Sequence, residues 1–164
     1  MSKGKAMKKI VMVILYFFAI SGFAADFSFH DLDGKKITVE NVEGNLLFKD
    51  ARYANKPVLI FFFGTRCPFC EQEIPHVNKL FKKGSINVIG VQAQIAIDDE
   101  RLEEFANEED MDFPILRMND GNRFVRYLKK RGLWIGGVPY YIWIDKYGNL
   151  EPVDLDTVRE RLEF

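Results

Sequence analysis

Phe61-Phe62-Phe63-Gly64-Thr65-Arg66-Cys67-Pro68-Phe69-Cys70-Glu71-Gln72-Glu73-Ile74-Pro75 is the stretch whose reading decides the fold. It enters as an apolar strand, breaks at Gly64-Thr65, presents a Cys-x-x-Cys pair and continues in a helical pattern. A helix N-terminus carries partial positive charge and unpaired N–H groups, so it favours a thiolate. A free thiol titrates near ~8.5, and that setting lowers the value by several units. Pro68 suits the first helical position, because its N–H would go unused there and its φ is already set. Cys67 is therefore expected to be the exposed nucleophile, with Cys70 one turn in and better protected. The chemistry predicted is thiol–disulfide exchange.

Upstream, Val58 to Phe63 is a continuous apolar run between Pro57 and Gly64. Such a run suits a strand buried on both faces, at the centre of a sheet covered by helices. Downstream, Ile74, Val77, Leu80 and Phe81 form a helical stripe that stops at Lys82-Lys83-Gly84, with Pro75 expected to kink it. Residues 26 to 39 alternate Phe27 and Phe29, turn at Asp33-Gly34, and alternate again at Ile37 and Val39, which predicts a β-hairpin. Residues 40 to 56 read as a turn-rich connector with room for a short helix.

Ile86 to Ile95 reads as the next strand. Asp98 is placed to cap a helix striped by Leu102, Phe105 and Ala106. Phe113-Pro114-Ile115-Leu116 is a short extended segment, and Asp120-Gly121-Asn122 opens a helix with Phe124, Tyr127 and Leu128 on one face. Val138 to Ile144 is a second apolar strand, Asp145 to Asn149 a hairpin turn, Leu150 to Val153 its return, and Asp156 starts a last helix. Alternating strands and helices that finish in a hairpin and a helix predict an α/β fold with a mixed sheet.

Lys3, Lys5, Lys8 and Lys9 precede an apolar run from Ile10 to Ile20, closed by Ser21-Gly22-Phe23-Ala24-Ala25. A basic n-region, a short apolar region and small residues at its end describe a secretory signal peptide. Cleavage after Ala24 makes 1–24 the leader and 25–164 one domain. Retention as an anchor is the rival, although Ile10 to Ala25 falls short of the roughly 20 residues a spanning helix wants. No cysteine follows the leader, which argues against a lipid-modified N-terminus. Losing four lysines and no acid moves the net charge from −1 to −5. The mature chain has no basic patch in sequence, which argues against nucleic acid as a partner. The only two cysteines both lie in the motif, so no structural disulfide is available.

The mature chain resembles the thioredoxin fold and, within it, the TlpA/ResA-like periplasmic thiol–disulfide oxidoreductases. The likeness is carried by Phe27-x-Phe29-x-Asp31-Leu32-Asp33-Gly34-Lys35, by Cys67-x-x-Cys70 followed by Glu73 and Pro75, and by Gly137-Val138-Pro139 ahead of an apolar strand ending Ile144-Asp145-Lys146-Tyr147-Gly148. It implies a thioredoxin-like fold: a central mixed sheet flanked by helices, with an N-terminal β-hairpin extension. It also implies that Cys67 attacks and Cys70 resolves. Pro139 matches a cis-proline whose loop packs beside the disulfide and leaves the Val138 backbone free to pair with substrate. Glu73 matches an acid that assists proton transfer.

The further implications are a monomer in the periplasm with no cofactor beyond the Cys67–Cys70 disulfide. Its substrates would be thiols and disulfides of exported proteins such as apocytochrome c, and its electrons would come from a membrane thiol carrier of the DsbD/CcdA type. Two residues depart from the pattern. Arg66 replaces the Trp that usually precedes the first cysteine, and a guanidinium there lowers a thiol pKa, in the direction of a stronger oxidant. Phe61 stands where thioredoxin proper has a buried Asp, which leaves Glu73 as the better candidate to handle the proton.

Two other readings remain beside the reductase: a DsbA-like disulfide-forming oxidant, which the Cys-Pro-Phe-Cys sequence also resembles, and a non-catalytic copper-binding thioredoxin-fold protein. Copper-binding relatives use a wider cysteine spacing with a distant His, which this chain lacks. A zinc site wants four ligands, and only His30 and His76 are available to join the cysteines. Both histidines read as structural or surface residues, and no metal site is expected. Trp134, Tyr140, Tyr141 and Trp143 read as core, with one or two available to line a substrate groove.

Overall fold

The computed structural model describes residues 27–162, so the leader expected over 1–24 lies outside the described residues. The organising strand is β4 (Val58–Phe63), buried along its whole length. It lies between β5 (Asn87–Gln92), which pairs with it in parallel, and β6 (Tyr140–Ile144), which pairs antiparallel. β7 (Leu150–Val153) adds to the free side of β6, giving the order β5-β4-β6-β7.

Because successive strand residues face opposite sides, β4 feeds two cores. Leu59, Phe61 and Phe63 enter one, with Ile74, Val77 and Leu80 of α1 (Pro68–Lys83), Leu102 and Phe105 of α2 (Asp99–Glu108), and Val158 of α4 (Leu155–Arg161). Val58, Ile60 and Phe62 enter the other, with Phe124 and Leu128 of α3 (Met118–Lys130). Helices thus cover both faces of the sheet, and an unbroken apolar run is the sequence such a strand requires. α1 continues through Pro75 and ends on Gly84, whose left-handed backbone (φ 71°) lets its N–H reach the Phe81 carbonyl.

A second, antiparallel sheet is built from β1 (Phe27–His30), β2 (Lys36–Val42) and β3 (Asn45–Phe48). The expected hairpin is its first half. β3 replaces part of the connector expected over 40–56, and a hydrogen-bonded turn at Asp50–Ala54 stands where a short helix had room. The two-residue turn into β3 places Glu43 and Gly44 at φ 52° and 95°. Both signs are positive, as a tight hairpin demands. Glu-Gly lacks the Asn or Asp that marks such turns, and Asn41 caps it instead by accepting the Gly44 N–H at 3.0 Å.

Residues 113–117 join the two sheets. Ile115 bridges to Gly90 in parallel and Leu116 to Asp31 antiparallel. Helix α3 starts at Met118 rather than at Asp120, because Asp99 of α2 accepts the Met118 N–H at 2.8 Å. A cap supplied from another helix leaves no local trace in the sequence. The last helix likewise starts earlier than Asp156, on Asp154, whose side chain accepts the Thr157 N–H.

Candidate active site

β4 delivers the chain to the Cys-x-x-Cys pair through Gly64, Thr65 and Arg66, and α1 receives it. Cys67 is the N-cap of α1, with extended backbone (φ −130°, ψ 95°), and its Sγ accepts the Cys70 N–H at 3.2 Å. Pro68 occupies the first helical turn as expected. The two cysteines form a disulfide, with Cα atoms 5.2 Å apart. The sulfur that would carry negative charge thus sits at the positive end of a sixteen-residue helix.

One expectation needs correction. Cys67 is not openly exposed: it is 6% accessible, against 0% for Cys70. The ranking holds, but the loop before β6 covers the sulfur, which lies 3.8 Å from the Val138 carbonyl oxygen. The Val138–Pro139 peptide bond in that loop is cis. Two large apolar side chains are openly exposed: Phe69, between the cysteines, is 70% accessible and Ile135, on the covering loop, 78%.

Glu73 lies one turn beyond Cys70, half-buried, and accepts a hydrogen bond from the Tyr141 hydroxyl at 3.1 Å. Tyr141 is buried and stacks on Phe61, ring centroids 5.2 Å apart. Its phenol is pushed far above the ordinary tyrosine value, first by burial and then by the Glu73 charge. It stays protonated and remains a donor. Phe61, standing where thioredoxin carries an Asp, therefore contributes a packing surface for the tyrosine that holds Glu73.

Arg66 is exposed, and its backbone is gripped by a residue the sequence reading passed over. Gln94 accepts the Arg66 N–H through Oε1 at 3.0 Å and donates Nε2–H to the Arg66 carbonyl at 3.1 Å. No motif marks a glutamine in a loop. The nearest signal is Gly64, where any Cβ would collide with the Gln94 side chain.

The remaining candidates sit in the framework. His30, in β1, donates its backbone N–H to Asp120 at 2.7 Å and ties that strand to α3. His76 is exposed on α1. Trp134 packs on Phe62 (centroids 4.8 Å) and Tyr140 donates to the Leu133 carbonyl at 2.8 Å, which shapes the covering loop from beneath. Among the described residues no group of three or more His, Cys, Asp or Glu side chains is arranged to hold a metal ion.

Comparison with known proteins agrees with this fold. The sequence pattern of the AhpC/TSA family matches residues 20–153. The chain is similar to the protein named thiol-disulfide oxidoreductase ResA of Bacillus thuringiensis (strain Al Hakam), 28% identical over 145 residues, covering 85% of this chain and 72% of that one. Among solved structures, MTB DsbF, in mixed oxidised and reduced forms, superposes with TM-score 0.60 at 23% identity, over 84% of this chain and 92% of that one. The pneumococcal exposed lipoprotein thioredoxin Etrx1 of Streptococcus pneumoniae superposes with TM-score 0.60 at 19% identity, over 85% and 98%. The fold is thioredoxin-like, with the additional N-terminal strands placed as expected.

Proposed function

The chain belongs to the AhpC/TSA family, and from that premise we propose that it is a thiol–disulfide oxidoreductase that reduces disulfides of exported proteins through a Cys67–Cys70 cycle. The observation that carries the reading is the position of the pair: Cys67 caps α1 with its Sγ on the Cys70 N–H, beside the Val138 carbonyl. The Cys67 thiolate attacks one sulfur of a substrate disulfide. The substrate S–S bond breaks, a Cys67–substrate disulfide forms, and the departing sulfur leaves as a thiolate that takes up a proton. Cys70 then loses its proton and attacks Cys67 Sγ, expelling the second substrate sulfur. Two electrons pass to the substrate, and the protein is left as the disulfide present in this structure.

Glu73 is placed to take the Cys70 proton, three residues along the same helix and thus its neighbour, with Tyr141 fixing its carboxylate. Val138 and Pro139 flank the docking position of the substrate strand, and Arg66 adds positive charge beside Cys67. The working unit is the domain 25–164, a monomer delivered to the periplasm by the leader 1–24. A membrane thiol carrier of the DsbD/CcdA type returns the electrons, and apocytochrome c cysteines are a fitting substrate class.

Two measurements test the reaction and its direction. Cys70→Ser should accumulate mixed disulfides, while Cys67→Ser should abolish disulfide reduction; turnover in the Cys67 variant sinks the mechanism. The potential of the pair separates reductase from oxidant, since thioredoxin lies near about −270 mV and DsbA near about −120 mV. Arg66 favours the oxidant reading, as a cation that stabilises the reduced, thiolate form. A potential near the DsbA value would transfer the assignment to disulfide formation.

A further inference from the structure

We propose that Gln94 is the positioning residue for the attacking cysteine: it locks the two peptide units on either side of Arg66 and thereby holds Cys67 in its thiolate-stabilising N-cap geometry. This rests on the exchange reaction proposed above. The Arg66 carbonyl that accepts from Gln94 Nε2 belongs to the same peptide plane as the Cys67 N–H, and the Arg66 N–H that donates to Oε1 belongs to the plane before it. One side-chain amide therefore fixes the orientation of both planes, as a neighbouring strand would. The Arg66 side chain is exposed, and Gln94 engages only the backbone of this residue.

The clamp is itself built. Gln92, the last residue of β5, is 1% accessible, accepts the Gln94 N–H through Oε1 at 2.8 Å and donates Nε2–H to the Ile95 carbonyl at 2.5 Å. A fully buried glutamine that spends both ends of its amide on the loop 93–95 holds that loop to one shape. Gly64 completes the arrangement, since a Cβ there would occupy the space of the Gln94 amide. Gln92 at the end of β5, Gln94 in the loop after it and the missing side chain of Gly64 thus together set the peptide before Cys67. A burial requirement alone would place an apolar side chain on Gly64 as readily.

The consequence follows from helix capping. Cys67 Sγ can accept the Cys70 N–H only while the Cys67 backbone stays extended. Releasing the Arg66–Cys67 plane lets the sulfur move off that N–H and away from the helix end, where the thiolate gains its stability.

Gln94→Met, which keeps the length and loses both hydrogen bonds, tests the proposal together with Gln94→Glu. In the reduced protein, the rate of iodoacetamide alkylation of Cys67 against pH gives the thiolate midpoint. Gln94→Met should raise that midpoint by about half a unit or more and slow attack on a small disulfide roughly three- to tenfold, with the resolving step unchanged. At neutral pH Gln94→Glu keeps an acceptor for the Arg66 N–H but turns a second carboxylate oxygen towards the Arg66 carbonyl, so it should also be slowed. It should approach the parent as pH falls through the carboxylate range, where the neutral carboxyl again donates and accepts. A merely structural role would give no such acid rescue. Unchanged midpoints and attack rates in folded Gln94→Met overturn the proposal, as does a Gln94→Glu-to-parent ratio flat in pH if the Met variant does not fold. Absence of disulfide exchange in the parent would instead overturn the function proposed above.

Discussion

The Tyr141 hydroxyl and the Glu73 carboxylate meet at 3.1 Å across the seam between β6 and α1, one in the strand that follows the cis-proline and the other in the helix that carries both cysteines. The bond thus connects the two elements that must hold their spacing while the disulfide opens and closes. Because burial keeps Tyr141 protonated, it donates at every pH at which the protein works.

Removing either partner should therefore disturb the same step. Tyr141→Phe keeps the stack on Phe61 and loses only the hydroxyl, with a stability cost of about 1 kcal/mol. Glu73→Gln keeps the shape and loses the proposed base. Both should slow resolution of a Cys67 mixed disulfide while leaving its formation unaffected. In the double variant the effects should not add, as expected for residues acting through one contact. Stopped-flow measurement of the two steps checks this, and additive losses would separate Tyr141 from Glu73.

Tyr53 gives a prediction with a defined sign. Its ring is buried against Phe48, and its hydroxyl has no hydrogen-bond partner among the described residues. Burial is the main cause that pushes its pKa up to about 12. The folded value lies above the unfolded one, so this contribution to stability is complete below about pH 10 and is lost as pH rises towards 12. Tyr53→Phe should flatten that alkaline loss. At neutral pH it should be neutral or stabilising by up to about 1 kcal/mol, because an unpaired buried hydroxyl is removed. Urea melts at pH 7 and pH 11 measure both effects.

Gly148 is where the two sheets touch through backbone. Its carbonyl accepts the Leu46 N–H at 2.8 Å, its φ is 86°, and a Cβ would stand 2.9 Å from the backbone of Leu46. An alanine meets both obstacles at once, a left-handed backbone and a strand that cannot retreat. Gly148→Ala should cost on the order of 2–3 kcal/mol and leave the potential of the Cys67–Cys70 pair unchanged. Chemical denaturation and a glutathione titration on the same samples separate the two.

What the sequence made legible was what is local. Val58–Phe63 declared a doubly covered strand, because an unbroken apolar run suits that environment, and the first cysteine followed by proline declared a helix start. Pro139, seventy-two residues from Cys67 in the chain, became legible only through a family resemblance. Three features stayed hidden because their cause lies elsewhere in the chain. β3 turns on a Glu-Gly pair that Asn41 caps, α3 is started by Asp99 of another helix, and Gln94 acts through amide geometry that only the folded loop creates. The cover over Cys67 stays hidden for the same reason, since it comes from Val138.

Arg66 bears on the proposed direction of electron flow. Its side chain is solvent-exposed, and it directly precedes in sequence the cysteine that caps α1. A cation there stabilises the thiolate, and with it the reduced form, so the pair becomes more oxidising. Exposure limits the size of the effect, because water and salt screen charges at the surface. Arg66→Ala should lower the reduction potential by about 10–30 mV, with the difference shrinking as ionic strength rises. Since Gln94 holds only the backbone of this residue, the substitution leaves the clamp in place and isolates the charge. Redox equilibrium with glutathione at low and high salt measures it, and a shift of the same size at both would show that Arg66 acts by something other than its charge.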